Sequence, residues 1–479
     1  MAALDKPPPA AEDGPGSGGE RGILEGLRRL EGNDPRESGC RIGCGAGFSS
    51  DRLGPAVDLL AEGGLDWLVL ECIGERTMAF GHRDRRRDPN AGYNPLLEAR
   101  MRALLPLCRR HGTRLLSNMG VANPRRAAER TVEIAGELGL RGLTVAWLEG
   151  DEVTDLLGPQ VPSCEGDPAG EARGGLIAAN AYLGIEHLLP ALATGADVVL
   201  TGRVADPSLF LAPLVQRFGW AADDWDRLAA GTLVGHLLEC GMQVTGGYFA
   251  DPGRKEVPDL ARCGYPIAEV TADGGAVITK LTSAGGLVST ATVKEQLLYE
   301  VHDPSAYVTP DVIADFSAVT VEEIGRDRVR VAGARGRPRP GRLKVTLAFD
   351  GGWLGEAGVS YAGINALARA ELAREILKER LVRIHGLACP LRFDLIGVDS
   401  LHGTAGVGPV RTEDVRLRVA CRSRDRREVE LVLWETEAIL TCGPAGGGGF
   451  RGRITESVTT ASSSLPREAV RCRVEVLET

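Results

Sequence analysis

Five short apolar stretches in the first two hundred residues each run directly into glycine or polar residues. They span residues 41–44, 67–70, 114–116, 143–147 and 198–200, and they continue as GAGFSSD, ECIGE, SNMG, LEGDE and TGRVADP. Segments with helical periodicity separate or follow them, at residues 52–62, 95–111, 124–138, 178–193 and 207–218. This alternation predicts βαβ units around a mainly parallel sheet. The five polar continuations are then expected to meet at the carboxyl edge of the sheet, where open α/β folds bind ligands.

The pattern changes after about residue 240 to valine-rich alternation between glycine turns. Strands are predicted at residues 276–280, 318–322, 329–331, 343–349, 391–398 and 470–477, with a helix at 365–385. The predicted fold class is therefore α/β: a βαβ-type domain at 39–240, followed by an α+β domain with a mixed sheet at 241–479. Residues 1–38 are predicted to be a disordered leader with a short helix, because proline and glycine dominate the first twenty positions.

Composition narrows the function classes. The 479 residues carry 56 lysines and arginines against 65 acidic residues, a net charge of −9, without a basic run that would suggest nucleic acid as a partner. Eleven cysteines without a CxxC pair indicate reduced thiols. Because neither a long apolar run nor a signal peptide is evident, a cytoplasmic protein without a membrane anchor is expected. The seven histidines form no HExxH-like pattern, so no metal site is predicted.

A glycine cluster follows the first predicted strand. Gly43, Gly45 and Gly47 precede a helix that Ser49 or a neighbour would cap. A dinucleotide fingerprint needs a third glycine or alanine where this chain has Phe48. A tight glycine turn that lines a substrate site is therefore favoured over a nicotinamide or flavin site.

Acidic and amide side chains follow the second and third strands. Glu71 and Glu75 flank the end of the second strand; they either divide acid and base roles, bind Mg²⁺ through oxygen, or form a solvated pair. Asn118 follows the third strand and is a candidate to orient a substrate carbonyl. Asn123, directly before Pro124, has a structural explanation as a helix N-cap.

The TGRVADP segment after the fifth strand contains Gly202, Arg203 and Asp206. Arg203 either clamps an anionic substrate group or forms an internal salt bridge with Asp206. The sequence leaves both roles open.

Two more glycine clusters lie in the second region. TGGYF contains Gly246 and Gly247, and GPAGGGG contains Gly446, Gly447 and Gly448. Such loops present backbone N–H groups to an anion, or they act as a flexible hinge. All five glycines are substrate-binding candidates.

Four blocks together resemble the acyclic terpene utilisation protein AtuA family: RIGCGAGFSSDR near residue 41, GADVVLTGRVADPSLFLAPLVQRFGW from 195, QLLYEVHDPSAYVTPDVIADFS from 296, and GPAGGGG from 443. The resemblance covers about residues 40–455. It implies degradation of citronellol- and geraniol-like terpenoids through branched acyl-CoA thioesters. Many members carry a small ferredoxin-like domain after the core, which this chain is expected to lack, so a separate ferredoxin-like small subunit is an expected partner.

The leading hypothesis is a hydratase or lyase acting on an acyl-CoA or a related carboxylate. In it Glu71 or Glu75 is the acid or base, Asn118 orients a carbonyl oxygen, Asp206 joins the catalytic group and Arg203 holds an anion. The alternatives are a non-catalytic acyl-CoA- or partner-binding subunit and a dinucleotide-dependent oxidoreductase. A CoA thioester is the expected small-molecule substrate, and a homo-oligomer is expected.

Overall fold

The computed structural model describes residues 39–157, 175–401, 403 and 412–479, so the predicted leader lies outside the described residues. The chain divides into two compact units. Unit 1 comprises the described residues of Met1–Cys164 with Ala179–Thr346 and Ser462–Thr479, and unit 2 comprises those of Glu165–Ala178 and Leu347–Ala461.

The described strands, in chain order, are β1 Cys40–Ala46, β2 Trp67–Leu70, β3 Arg114–Ser117, β4 Thr144–Glu149, β5 Leu176–Ala181, β6 Val198–Thr201, β7 Pro266–Val270, β8 Ala276–Lys280, β9 Tyr307–Val308, β10 Ile313–Asp315, β11 Thr320–Gly325, β12 Arg328–Ala332, β13 Arg335–Arg337, β14 Arg342–Ala362, β15 Leu391–Ile396, β16 Asp414–Ser423, β17 Gly448–Pro466 and β18 Arg473–Glu478. The described α-helices are α1 Gly54–Glu62, α2 Glu75–Arg87, α3 Leu97–His111, α4 Pro124–Glu137, α5 Ile185–Ala193, α6 Asp206–Phe218, α7 Trp225–Glu239, α8 Thr290–Leu298, α9 Ala366–Lys378 and α10 Arg426–Cys442.

Unit 1 is built on a ten-stranded mixed sheet in the order β11-β12-β8-β7-β1-β2-β3-β6-β4-β18. The segment β1-β2-β3-β6-β4 is parallel, and its five strands are the five predicted from the apolar stretches. The flanking strands pair antiparallel with it. The predicted α/β class is confirmed.

Burial on both faces explains why the central strands read as uninterrupted apolar runs. All residues of β2 and β6 are buried, because helices cover both faces of a parallel sheet. One face packs on α1, α3 and α4 in a single apolar cluster. Asn123 caps α4 by accepting a hydrogen bond from the Arg126 backbone N–H, and Pro124 occupies the first turn, as predicted.

One predicted helix and one predicted domain boundary differ from the structure. The helix expected at 178–193 begins only at Ile185, because residues up to Ala181 belong to β5. A sheet position outweighed the helix propensity of this alanine-rich segment. Strands β7, β8, β11 and β12 also continue the sheet of β1, whereas a domain boundary was predicted at residue 240.

Unit 2 has the element order β14-α9-β15-β16-α10-β17 and the sheet order β15-β16-β14-β17. A βαββαβ order of this kind is the ferredoxin-like arrangement. Both helices pack their apolar residues against the same strands in one cluster. The expectation that this chain lacks a ferredoxin-like domain is therefore wrong, and the reason for expecting a separate subunit of that fold no longer holds.

Candidate active site

Three buried polar side chains follow neighbouring strands at the carboxyl edge of the parallel sheet. Glu71 directly follows β2, Asn118 directly follows β3, and Arg203 lies two residues beyond β6. Their exposed fractions are 7%, 0% and 2%. Buried ionisable groups need hydrogen-bond or charge partners to offset lost hydration. Those partners define the site.

Glu71 is held by the backbone and by Asn118. Its Oε1 accepts hydrogen bonds from the Ile73 backbone N–H at 2.7 Å and from Asn118 Nδ2 at 2.9 Å. Asn118 Oδ1 accepts from the Cys72 N–H at 2.7 Å, so both ends of the amide serve the strand ends rather than a substrate carbonyl. Burial, and then the negative charge of Asp206, raise the pKa of Glu71 well above its usual value.

Arg203 forms the internal ion pair that was one of its two predicted roles. Its Nη2 donates to Asp206 Oδ1 at 2.7 Å, and its Nη1 donates to the Ile73 carbonyl at 2.7 Å. The guanidinium carbon lies 4.0 Å from the centroid of the Tyr182 ring. Nε is buried and has no hydrogen-bond partner among the described residues. Arg203 therefore fixes Asp206 and keeps one donor free.

Glu75 pairs with a tyrosine and a lysine. Tyr182 donates its hydroxyl proton to Glu75 Oε1 at 2.6 Å, and Lys344 Nζ lies 3.5 Å from the same oxygen. Thr346 Oγ1 donates to the Tyr182 oxygen at 3.2 Å. Burial disfavours the carboxylate, but the Tyr182 hydrogen bond and the charges of Arg203 and Lys344 prevail and lower the pKa of Glu75 to about 2. Glu75 is ionised at neutral pH.

A cavity of about 210 Å³ opens beside these groups. Its wall includes the side chains of Asp206, Tyr182, Tyr307 and Lys344. Burial raises the pKa of Asp206, and Arg203 opposes that shift. A ligand in this cavity would meet a carboxylate, two phenols and an ammonium group. The volume is below that of pockets that enclose a whole drug-sized ligand, so the cavity fits part of a larger substrate.

Glu239, the last residue of α7, is an acidic member of this site that the sequence did not reveal. Its Oε1 lies 3.1 Å from Nδ1 of the buried His236, whose Nε2 lies 3.3 Å from the Leu297 carbonyl. Burial lowers the pKa of His236 to about 4, so the ring is neutral. The carbonyl can only accept, so Nε2 carries the ring proton and Nδ1 accepts from Glu239. Burial and the charge of Asp206 raise the pKa of Glu239 well above its usual value, in agreement with a protonated carboxyl group.

The surroundings shift the pKa values of neighbouring carboxyl groups in opposite directions. Burial and the charge of Asp206 raise the pKa of Glu71, burial raises the pKa of Asp206 against the charge of Arg203, and the Tyr182 hydrogen bond and nearby cations lower the pKa of Glu75 to about 2. Environments that separate the pKa values of neighbouring carboxyl groups are how acid and base roles are divided.

Gly47 allows the end of α7 to reach the end of β1. A Cβ at Gly47 would lie 2.3 Å from the Glu239 carbonyl oxygen and the Gly241 nitrogen, and 2.4 Å from the Cys240 carbonyl carbon. The Gly47 N–H donates to Asp51 Oδ2 at 2.8 Å. The glycine therefore serves a close backbone contact that brings Glu239 to the sheet edge.

Gly43 and Gly45 lie inside β1, and not in the tight turn that was predicted. A Cβ on Gly43 would lie 2.6 Å from Leu65 Cδ1, and one on Gly45 would lie 3.1 Å from Leu68 Cδ1. Both glycines make room for apolar side chains. Gly43 and Gly45 form no loop at a helix N-terminus. The glycine spacing that resembled a dinucleotide fingerprint is therefore explained at these two positions by core packing.

A second chain of polar groups fixes the backbone of Arg203. Asp151 Oδ2 accepts from the Arg203 backbone N–H and from Asn180 Nδ2, each at 2.8 Å. Asn180 Oδ1 in turn lies 2.8 Å from His82 Nε2. A Cβ on Gly202 would lie 2.5 Å from Asp151 Oδ1. Burial raises the pKa of Asp151 to about 6. Gly202 thus makes room for a carboxyl group that positions Arg203.

The remaining candidates are spread more widely. Ser49 Oγ accepts a hydrogen bond from Asn94 Nδ2 at 3.0 Å, so it has a structural partner. Gly246 and Gly247 lie in unit 1 directly after a 3₁₀ turn, and Gly246 has a φ of 106° that favours glycine.

Gly446, Gly447 and Gly448 belong to unit 2; Gly446 and Gly447 lie between α10 and β17, and Gly448 is the first residue of β17. Arg369 Nη1 donates to the Ala445 carbonyl at 2.8 Å, and its Nη2 donates to the Ala362 carbonyl at 2.6 Å. Side-chain hydrogen bonds therefore tie this loop to the start of α9.

The sequence reading missed Tyr182 and Lys344 as well as Glu239. Tyr182 directly follows β5, and the helix predicted there concealed a strand end. Lys344 is a charged residue in the apolar alternation of β14. Within the described ranges, no group of three or more histidine, cysteine or acidic side chains is arranged to hold a metal ion. No helix in the same part of the chain is long and apolar enough to cross a membrane.

Comparisons with known proteins agree with the family resemblance. The family model "Acyclic terpene utilisation family protein AtuA" matches residues 40–476. No curated protein matches the chain. Two solved structures share local similarity: the de novo designed protein Ferredog-Diesel (18% identity, 21% of this chain, 85% of that chain, TM-score 0.16) and a hydantoinase/carbamoylase family amidase from Burkholderia ambifaria (15% identity, 25% of this chain, 31% of that chain, TM-score 0.16). At these TM-scores neither supports a structural or functional argument.

Proposed function

The chain belongs to the acyclic terpene utilisation family AtuA, and on that premise we propose that it is a hydratase or lyase. Its substrate in this proposal is a branched acyl-CoA or related carboxylate, and the reaction adds water to a carbon–carbon double bond conjugated to a carbonyl, or removes it. One observation carries the proposal: Asp206 lines a small cavity, and its neighbours Glu71 and Glu75 have pKa values shifted in opposite directions, upward for Glu71 and down to about 2 for Glu75.

Asp206 is the proposed acid–base residue because it lines the cavity. In hydration it accepts a proton from water as the water oxygen bonds to the β-carbon, and it then returns the proton to the α-carbon. Burial raises its pKa toward the working range of a general base, while Arg203 keeps the ionised form accessible. The raised pKa of Glu71 disfavours a second negative charge beside it.

Lys344 is proposed to stabilise the negative charge that develops on the substrate carbonyl oxygen. Its side chain lines the cavity, and a cation placed beside the developing charge is effective at this task. Tyr182 donates its single hydroxyl proton to Glu75, so it lines the cavity and positions Glu75 without donating to the substrate. Arg203 stacks on the Tyr182 ring.

The test is a panel of branched α,β-unsaturated CoA thioesters and free acids, incubated with the full chain. Loss of the conjugated-thioester absorbance and incorporation of solvent deuterium at the α-carbon report the reaction. Asp206→Asn should lower turnover by about 10² to 10⁴, the usual contribution of general acid–base catalysis. Asp58→Asn, an exposed carboxyl on α1, is the matched control and should retain activity.

Unchanged turnover in Asp206→Asn would remove this residue from the mechanism. Binding of a thioester without conversion of any panel member would overturn the enzyme proposal and favour a non-catalytic acyl-CoA-binding subunit.

A further inference from the structure

Tyr307 brings a hydroxyl group to the wall of the cavity beside Asp206. Three of the described residues that line this cavity carry hydroxyl groups: Tyr182, Tyr307 and Thr309. Tyr182 donates its proton to Glu75, and Thr309 donates to a backbone carbonyl at 2.9 Å. The Tyr307 hydroxyl has no hydrogen-bond partner among the residues that the structure describes. It is therefore available to a ligand in the cavity.

Aromatic contacts fix the position of the Tyr307 ring. Its centroid lies 5.0 Å from that of His236 on α7 and 5.3 Å from that of Phe316, which directly follows β10. Its backbone pairs with Ala314 of β10. Contacts of this kind restrict the rotation of the ring. The hydroxyl group is thus already ordered when it meets a ligand, which lowers the entropic cost of binding.

The surroundings of Tyr307 also set its protonation state. Burial, and then the nearby carboxyl groups of Glu239 and Asp206, raise the pKa of Tyr307 well above the usual value of a phenol. At neutral pH the hydroxyl keeps its proton, so it is a hydrogen-bond donor and not an acid that gives the proton away.

Tyr307 and Lys344 belong to different walls of the cavity. Lys344 Nζ lies 4.7 Å from the centroid of the Tyr182 ring and 3.5 Å from Glu75 Oε1. Tyr307 packs on α7 through His236 instead. A ligand in the cavity therefore meets an ammonium group on one wall and a phenolic hydroxyl on another.

Asp206 is near both of these groups. Burial raises the pKa of Asp206 against the charges of Arg203 and Lys344, and Asp206 is one of the groups that raise the pKa of Tyr307. A thioester with its carbonyl oxygen at Lys344 can thus place its α- and β-carbons beside Asp206 and its β-oxygen beside Tyr307.

We propose that Tyr307 recognises the β-oxygen of the substrate, because its hydroxyl donates a hydrogen bond to the β-hydroxyl group of the hydrated form and to the water that takes the same place before addition. The identity of the reaction in this inference rests on the proposed function.

The dehydration direction shows what this hydrogen bond does. Asp206 removes the α-proton, and the electron pair of the C–H bond moves into an enolate whose oxygen lies at Lys344. The pair then forms the α,β-double bond, the bond from the β-carbon to oxygen breaks, and the leaving oxygen takes the proton from Asp206 to become water. Tyr307 keeps its own proton and stabilises the negative charge that builds up on the leaving oxygen.

Tyr307→Phe removes the hydroxyl group and keeps the ring with its aromatic contacts. Dehydration of a branched β-hydroxy thioester should slow about a hundredfold in kcat, as on loss of one donor to a developing oxyanion. Elimination from the β-chloro thioester releases weakly basic chloride, and solvent deuterium exchange at the α-carbon of the saturated thioester involves no β-oxygen, so both rates should stay at the parent value. Tyr248→Phe removes an exposed hydroxyl elsewhere in unit 1 and should match the parent in all three assays.

The outcomes separate the role of Tyr307 from the proposed function. If Tyr307→Phe slows all three reactions equally, or slows none of them, the hydratase stands and the role of Tyr307 is overturned. If the parent converts no thioester, the hydratase is overturned, and calorimetry with the β-hydroxy thioester and its saturated counterpart decides the role of Tyr307. Tighter binding of the β-hydroxy form that is lost in Tyr307→Phe supports recognition by Tyr307. Equal binding of the two forms, or a preference that Tyr307→Phe retains, overturns it.

Discussion

Replacing Gly47 by alanine tests whether the end of β1 and the end of α7 make the close contact that carries Glu239 into the site. The added Cβ would lie 2.3–2.4 Å from three backbone atoms of residues 239–241. Ordinary carbon contacts are 3.5–4.0 Å, so one segment must move by about an ångström. Overpacking a well-packed region costs typically about 1–3 kcal/mol. Because backbone atoms yield less than the ends of side chains, we expect Gly47→Ala to lose about 3 kcal/mol of unfolding free energy.

Alanine substitutions at two other glycines serve as controls for the loss of unfolding free energy expected at Gly47. A Cβ at Gly43 meets the end of the Leu65 side chain at 2.6 Å, which can rotate away, so Gly43→Ala should lose about 1–2 kcal/mol. A Cβ at Gly54 meets nothing within 4 Å. Since Gly54 is the first residue of α1, alanine there should be neutral or stabilising by up to about 1 kcal/mol.

Urea unfolding gives the free energies, and hydrogen exchange of peptides from β1 and α7 assigns the change to unit 1. The expected order of stability is Gly54→Ala, parent, Gly43→Ala, Gly47→Ala. A Gly47→Ala protein as stable as the parent would refute the close backbone contact. It would also remove the explanation of how Glu239 reaches the site.

Two further predictions address pH dependence and the unit 2 loop. Burial raises the pKa of Asp151 from 3.8 to about 6, so its contribution to stability is complete below about pH 4 and is lost as the pH rises through about 6. Between about pH 4 and pH 7 the parent should lose about 2 kcal/mol more unfolding free energy than Asp151→Asn, and equal pH profiles in urea unfolding would contradict this. In unit 2, Arg369→Ala removes the hydrogen bonds to the Ala445 and Ala362 carbonyls and should cost about 1–2 kcal/mol. Hydrogen exchange at 443–449 should accelerate, and unchanged exchange there would show that Arg369 does not hold the loop.

Several strands and helices could be predicted from the sequence because burial imposes a regular pattern of apolar and polar residues along the chain. The four residues of β2 and the four of β6 are apolar because both faces are covered, and polar residues appear where each strand leaves the sheet. Asn123 before Pro124 predicted the start of α4 because an N-cap residue followed by proline is itself a local signal of a helix start. The prediction failed where local preference and tertiary pairing disagree: residues 178–181 favour helix by composition, but they lie in β5.

In the candidate site, too, the sequence predicted some features and not others. Glu71, Asn118, Arg203 and Asp206 were identified because they follow strands, and parallel strands bring their carboxyl ends to one edge. Their roles were not readable, because Asn118 turns both amide atoms to neighbouring strand ends and Arg203 pairs with Asp206. Hydrogen bonds between distant segments leave no periodic trace in a sequence.

The sequence by itself determined the α/β class, the five parallel strands, the sheet edge that carries the candidate site, and the family. Only the tertiary structure decided that Tyr182, Lys344 and Glu239 join that edge, from segments over a hundred residues from Glu71. It also decided which carboxyl groups have raised pKa values and which have lowered ones. Spacing and apolar pattern are local properties of the chain, whereas burial, charge proximity and hydrogen bonding arise only when remote segments pack, and these set the pKa values on which the proposed chemistry depends.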